Sequence, residues 1–84
     1  MKWKRFEGKN EVSEFVEYER GRELLVLQKG NGGWWYIFYL QRKSPRSKKV
    51  ERIVTVEAFK TKKEGEAFLE KLVSDESLLR KYIS

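Results

Sequence analysis

The sequence predicts an α+β domain, an antiparallel four-stranded sheet in the order β-β-β-β-α with one amphipathic carboxy-terminal helix packed on one face. Three observations carry this. Residues 12–58 hold four strand-like runs punctuated by Gly and Pro turns, a helix-capping pattern follows at Thr61, and beyond it apolar residues recur at helical spacing. At 84 residues the chain is expected to form a single domain over 1–84, burying only roughly 60% of its unfolded surface.

The first run, Val12 to Tyr18, places Val12, Val16 and Tyr18 on one face with Phe15 opposite. It is rich in Glu and reads as an edge. After the Arg20-Gly21 turn, Glu23 to Gln28 contains Leu24, Leu25, Val26 and Leu27, an apolar run suited to a strand covered on both sides. Gly30-Asn31-Gly32-Gly33 then closes a hairpin, because Gly and Asn tolerate the positive φ that tight turns demand.

The third run, Trp34 to Arg42, opens with seven consecutive apolar or aromatic residues, Trp34 to Leu40. Residues 41–49 form a basic loop that Pro45 keeps out of the ladder. Val50 to Ala58 returns as the fourth strand, with Arg52, Val54, Val56 and Ala58 on one side. Thr61 and Glu64 make a capping box, in which hydroxyl and carboxylate each satisfy an orphan backbone N–H. Phe68, Leu69, Leu72, Val73, Leu79 and Ile83 then fall on one stripe, with Ser74-Asp75 as a break that could divide the helix.

One helix covers one face, whereas the aromatic strand has two apolar faces. Matching it to the apolar side of the returning strand assigns Trp34, Tyr36, Phe38 and Leu40 to the helix-facing core and leaves Trp35, Ile37, Tyr39 and Gln41 outward. A shift of one residue would exchange the two sets. Outward rings have three possible coverings: the amino-terminal segment with Trp3 and Phe6, a second copy of the chain, or a ligand.

Charge points to the ligand's chemistry. Between Lys29 and Lys63 ten Lys or Arg face only Glu51 and Glu57, a local balance of +8, whereas the chain as a whole carries +6. Concentrated positive charge beside aromatic rings is what single strands of nucleic acid bind, bases stacking on rings and cations neutralising phosphate. The residues expected to bind are Trp35, Tyr39, Arg42, Lys43, Arg46, Lys48, Lys49 and Arg52, with single-stranded DNA or RNA favoured over duplex and homodimerisation expected. The competing class is a protein-interaction module or small inhibitor that docks through the aromatic face.

Other classes lose support. The chain contains no Cys and no His, so thiol nucleophiles, thiolate metal sites and imidazole acid–base chemistry are excluded. No enzyme activity, metal or cofactor is expected. Gly30 to Gly33 lacks the following helix N-terminus of a phosphate-cradling loop. The opening Met1 to Phe6 has no apolar signal core, and no apolar run approaches the ~20 residues of a membrane helix. A cytoplasmic, intracellular location is the expectation, without membrane partners. Twelve Lys and twelve Glu against two Asn, two Gln and one Met match the composition of proteins from hot environments.

Gly33-Trp34-Trp35, a basic loop, a strand, then Phe59-Lys60-Thr61-Lys62-Lys63-Glu64 and Ala67-Phe68-Leu69 resemble the arm-binding domains of tyrosine recombinases and the plant ethylene-responsive DNA-binding domain. The resemblance covers about residues 24–73. It implies a three-stranded sheet entering the major groove of duplex DNA, backed by a capped helix, with Trp35, Arg42 and Arg52 facing DNA. The layout is also similar to Whirly-type domains, whose four strands and helix dimerise and bind single strands.

Overall fold

The computed structural model of the chain describes residues 2–9 and 14–84. Five strands, β1 (Lys4–Lys9), β2 (Glu14–Arg20), β3 (Glu23–Lys29), β4 (Trp35–Arg42) and β5 (Val50–Phe59), form one antiparallel sheet in sequence order. Two helices, α1 (Lys62–Ser74) and α2 (Glu76–Ile83), follow and pack on the same face of that sheet. The class is α+β as expected, with one more strand and one more helix than the four and one read from the sequence.

The added strand, β1, is nearly all charged and has Phe6 as its one large apolar side chain. It carries no alternation to betray it, and it joins through backbone pairing, Phe6 opposite Glu17 and Gly8 opposite Phe15. Its presence makes β2 an interior strand rather than an edge. Val12, assigned to this region from the sequence, lies outside the described residues.

Turns follow their residue chemistry. Gly21 takes φ 58° between Arg20 and Glu23, the positive value that a two-residue hairpin needs at its first position. Gly32 and Gly33, at φ 75° and 81°, reverse the chain between β3 and β4, and Gly30 N–H donates to Trp34 O at 2.7 Å. Beyond β4, Ser47 N–H donates to Ser44 O at 3.1 Å, closing a turn around Pro45.

Thr61 caps α1: its hydroxyl oxygen accepts from Glu64 N–H at 3.2 Å. The Glu64 carboxylate accepts the Thr61 hydroxyl proton at 3.0 Å instead of the backbone N–H expected of a reciprocal capping box, so only the Thr61 half of that box is formed. Asp75 ends α1 and starts α2, its carboxylate accepting from Leu78 N–H at 3.1 Å and from the Ser77 hydroxyl at 2.7 Å. Those bonds hold its carboxyl below the usual range, the Ser77 hydroxyl contributing most. Leu69, Leu72, Leu79 and Ile83 of the apolar stripe are buried, and Phe68 and Val73 pack beside them.

The faces of β4 are the reverse of those expected. Trp35, Ile37 and Tyr39 point at the helices and are 6%, 0% and 2% exposed, packed with Val16, Leu25, Leu27 and Val56. The first of two breaks in register between β4 and β5 accounts for this along the middle of the strand. At the loop end Arg42 stands opposite Val50, and regular pairing from there would set Leu40 against Arg52 and Phe38 against Val54, the arrangement that apolar matching implies. Instead Glu51 bulges out as an extra residue on β5, so Gln41 meets Arg52, Leu40 meets Ile53 and Tyr39 meets Val54. That inserted residue exchanges the faces as far as the second break, between Ile37 and Phe38, beyond which Tyr36 stands opposite Ala58.

Candidate functional site

The face turned away from the helices is open. It carries Phe6 on β1, Phe15 on β2, Leu24 and Val26 on β3, Tyr36, Phe38 and Leu40 on β4, and Ile53 and Thr55 on β5. Phe6 is 48% exposed and Ile53 62% exposed. The rings lie along the sheet because glycines make room for them: a Cβ on Gly8 would fall 2.4 Å from the Phe15 ring, and one on Gly30 would fall 2.5 Å from the Tyr36 ring. Tyr36 and Phe38 stack at a centroid distance of 6.1 Å, with planes 24° apart.

Trp34 extends this row past the end of the strand. It is 40% exposed, and Lys60 Nζ stands 5.9 Å from its ring centroid, within range of a weak cation–π contact. Gly32, Gly33, Trp34 and Lys60 line a shallow recess of about 280 Å³. Trp34, Tyr36 and Phe38 therefore form a ladder of rings along one strand.

At the other end of β4 and β5 the loop of residues 43–49 exposes Lys43, Arg46, Lys48 and Lys49. Lys43 N–H donates to Lys49 O at 3.2 Å and Lys49 N–H to the Ser47 hydroxyl at 3.0 Å, so the loop has a defined shape. No ion pair ties these four cations among the described residues. Acids on the open face gather instead toward β2, where Glu17 and Glu19 lie opposite Phe6 and Lys4. Partial burial pushes the Glu17 carboxyl above its usual range, and the neighbouring Glu19 charge adds to this.

The eight residues singled out from the sequence thus fall into three groups. Lys43, Arg46, Lys48 and Lys49 stand together in solvent. Trp35 and Tyr39 belong to the core, where a base cannot reach them, and Lys62 Nζ lies 5.9 Å from the Trp35 ring centroid. Arg42 and Arg52 are engaged within the fold. Arg42 Nη2 donates to Gly21 O at 2.7 Å and pairs with Glu19 at 3.4 Å, bracing the β2–β3 turn. Arg52 Nη2 donates to Ile83 O and ties β5 to the end of α2.

Sequence reasoning missed Tyr36 and Phe38 as half-buried rings on the open face because it placed them on the core side, and missed the exposed Trp34 for the same reason. The available signal was the glycine run beside Trp34, which leaves room for a ring at the hairpin. Among the described residues no helix is long and apolar enough to cross a membrane, and no group of His, Cys, Asp or Glu is arranged to hold a metal ion. Comparison with family models, curated proteins and solved structures gave no match.

Proposed function

We propose that the protein binds single-stranded nucleic acid across the open sheet face, without catalysing a reaction. The observation that carries this is the ladder Trp34, Tyr36 and Phe38, with Lys60 at one end and Lys43, Arg46, Lys48 and Lys49 at the other. The exposed Trp34 and the half-buried Tyr36 and Phe38 each offer a base a stacking partner, worth up to ~1–3 kcal/mol, and every base has a face to stack. The strand between the two basic ends is eight residues long, about 26 Å, enough to carry several nucleotides.

Single strands suit this face better than duplex. Reading a major groove requires donors and acceptors aimed at base edges, and the face offers Leu24, Val26, Leu40 and Ile53 at its centre instead. Unstacked bases need apolar area, which Ile53, at 62% exposed, and the half-buried Leu40 provide above the buried Leu24 and Val26.

The test is fluorescence anisotropy of a labelled oligonucleotide, single-stranded and duplex, at two salt concentrations. Tighter binding of the single strand, weakened by Trp34→Ala and by Phe38→Ala, supports the reading. Equal binding of both forms with Trp34→Ala silent favours a duplex-binding role, and no binding at low salt removes nucleic acid as a partner.

A second reading is homodimerisation through the same face, favoured by Ile53 and Val50, which are 62% and 42% exposed and stack with nothing. Ile53→Lys on that reading converts a dimer to a monomer in sedimentation equilibrium.

A further inference from the structure

On the helix side, at the end of the sheet away from Trp34, four arginines meet around one cavity. Arg20 and Arg22 come from the β2–β3 hairpin, Arg52 from β5 and Arg80 from α2. With Glu23, Tyr39, Gln41 and Ile83 they line a cavity of about 320 Å³. That volume sits at the small end of ligand sites and admits a phosphate with part of the group it is attached to.

Four guanidinium groups drawn together repel one another unless acids offset them. Two are offset: Arg20 lies between Glu23, at 2.8 Å, and Glu76, at 3.0 Å, and stacks 4.2 Å from the Trp3 ring centroid, and Arg80 shares Glu76 at 3.0 Å. Those contacts use both oxygens of Glu76 and one of Glu23, and the other oxygen of Glu23 accepts the Tyr39 hydroxyl at 2.7 Å. Neither acid keeps an oxygen free of a donor.

Arg22, Arg52 and Arg80 keep donors in reserve. Arg22 uses one nitrogen, on Lys43 O at 3.4 Å, Arg52 uses one on Ile83 O, and Arg80 uses one on Glu76 at 3.0 Å. Counting Glu23 in the lining and Glu76, which pairs with Arg20 and Arg80 beside it, four arginines meet two acids, an excess of two positive charges. Planar guanidinium forks from three different elements, with Gln41 in the same lining, suit the several oxygens of one tetrahedral dianion.

The geometry points to a binding site for a phosphate group, free or carried as a monoester, held by Arg22, Arg52 and Arg80. It lies across the sheet from the ring ladder and does not depend on that ladder binding nucleic acid. The donors come from a hairpin, a strand and a helix, so occupancy ties the three elements together.

The experiment is a ¹⁵N–¹H titration of the full chain with inorganic phosphate, adenosine 5′-monophosphate and adenosine, at constant ionic strength held with chloride. Saturable shifts at the amides of Arg22, Gln41 and Arg52 with both phosphates and none with adenosine are expected. A charge-assisted hydrogen bond lost in Arg22→Ala or Arg80→Ala weakens the apparent affinity roughly tenfold. Both residues are at the surface, so these variants keep the fold, and Arg52→Lys tests the third donor without removing its charge. Tighter binding of the nucleotide than of inorganic phosphate identifies a nucleotide as the source of the phosphate, and equal binding identifies the free anion. Shifts that chloride or adenosine reproduces, or affinity unchanged in both alanine variants, overturn the proposal.

Discussion

Tyr39 donates its hydroxyl proton to Glu23 Oε2 at 2.7 Å, diagonally across the β3–β4 pair, at the point where the core meets the arginine-lined cavity. Burial and this carboxylate push the phenol up to about 12, burial being the larger cause. The bond fixes Glu23 so that its other oxygen serves Arg20. Tyr39→Phe removes one hydrogen bond to a charged group and should lower unfolding free energy by about 2 kcal/mol, measured by urea denaturation. In the parent protein the phenol is protonated in both states below pH 10, so its contribution is complete there. It is lost as pH rises toward 12, and the stability gap between parent and variant should narrow over that window.

Consecutive tryptophans should separate affinity from stability. Trp34 is exposed and Trp35 buried, although they are neighbours in the chain. Trp34→Ala should change stability by less than about 1 kcal/mol and weaken single-strand binding about tenfold. Trp35→Phe should do the reverse, lowering the melting temperature while the folded variant binds as the parent does. Trp35→Ala is less useful, because its cost of roughly 3–5 kcal/mol is comparable with the whole stability of a domain this small. A loss of affinity in Trp35→Phe at a temperature where it is folded would place the binding surface elsewhere.

Four of the five strands and the start of α1 were legible in the sequence because each is marked by local chemistry: glycines at Gly21 and Gly30 to Gly33, Pro45 in the basic loop, and the Thr61–Glu64 pair. β1 was not, since Lys4, Arg5, Glu7 and Lys9 leave no apolar period and its pairing is carried by the backbone. The faces of β4 were misassigned because a bulge at Glu51 has no residue signature there, and its one extra residue inverts the pairing from Gln41 to Phe38, up to the second break in register. Arg42 and Arg52 looked like free contacts to nucleic acid beside the basic loop for a related reason. Their partners include the carbonyls of Gly21 and Ile83, which composition cannot distinguish from solvent.

The basic loop makes a salt-dependent prediction. If Lys43, Arg46, Lys48 and Lys49 each contact one phosphate of a single strand, log affinity should fall with log salt at a slope of about −2.8. Replacing Lys48 and Lys49 by Gln should halve that slope to about −1.4, because each contact contributes about −0.7. These side chains make no ion pair within the fold, so the melting temperature should stay close to the parent's. An unchanged slope would remove the loop from the interface.

Glu17 is the residue on the open face most at odds with its surroundings. It stands between Phe6 on β1 and Val26 on β3, and burial there together with the Glu19 charge raises its carboxyl, Arg42 opposing only in part. A raised carboxyl means that the folded state holds its proton more tightly than the unfolded chain does. Its contribution to stability is therefore greatest below the ordinary glutamate range and is lost as pH rises through the raised value. Glu17→Gln removes the ionised form altogether. The variant should melt above the parent at pH 7, and the difference should shrink as pH falls below about 4.3, where the parent carboxyl is protonated in both states. The same substitution removes a negative charge from the surface that we propose meets phosphate, so single-strand affinity at pH 7 should rise. A melting temperature at pH 7 equal to or below the parent's would show that Glu17 is solvated well enough to carry its charge without penalty.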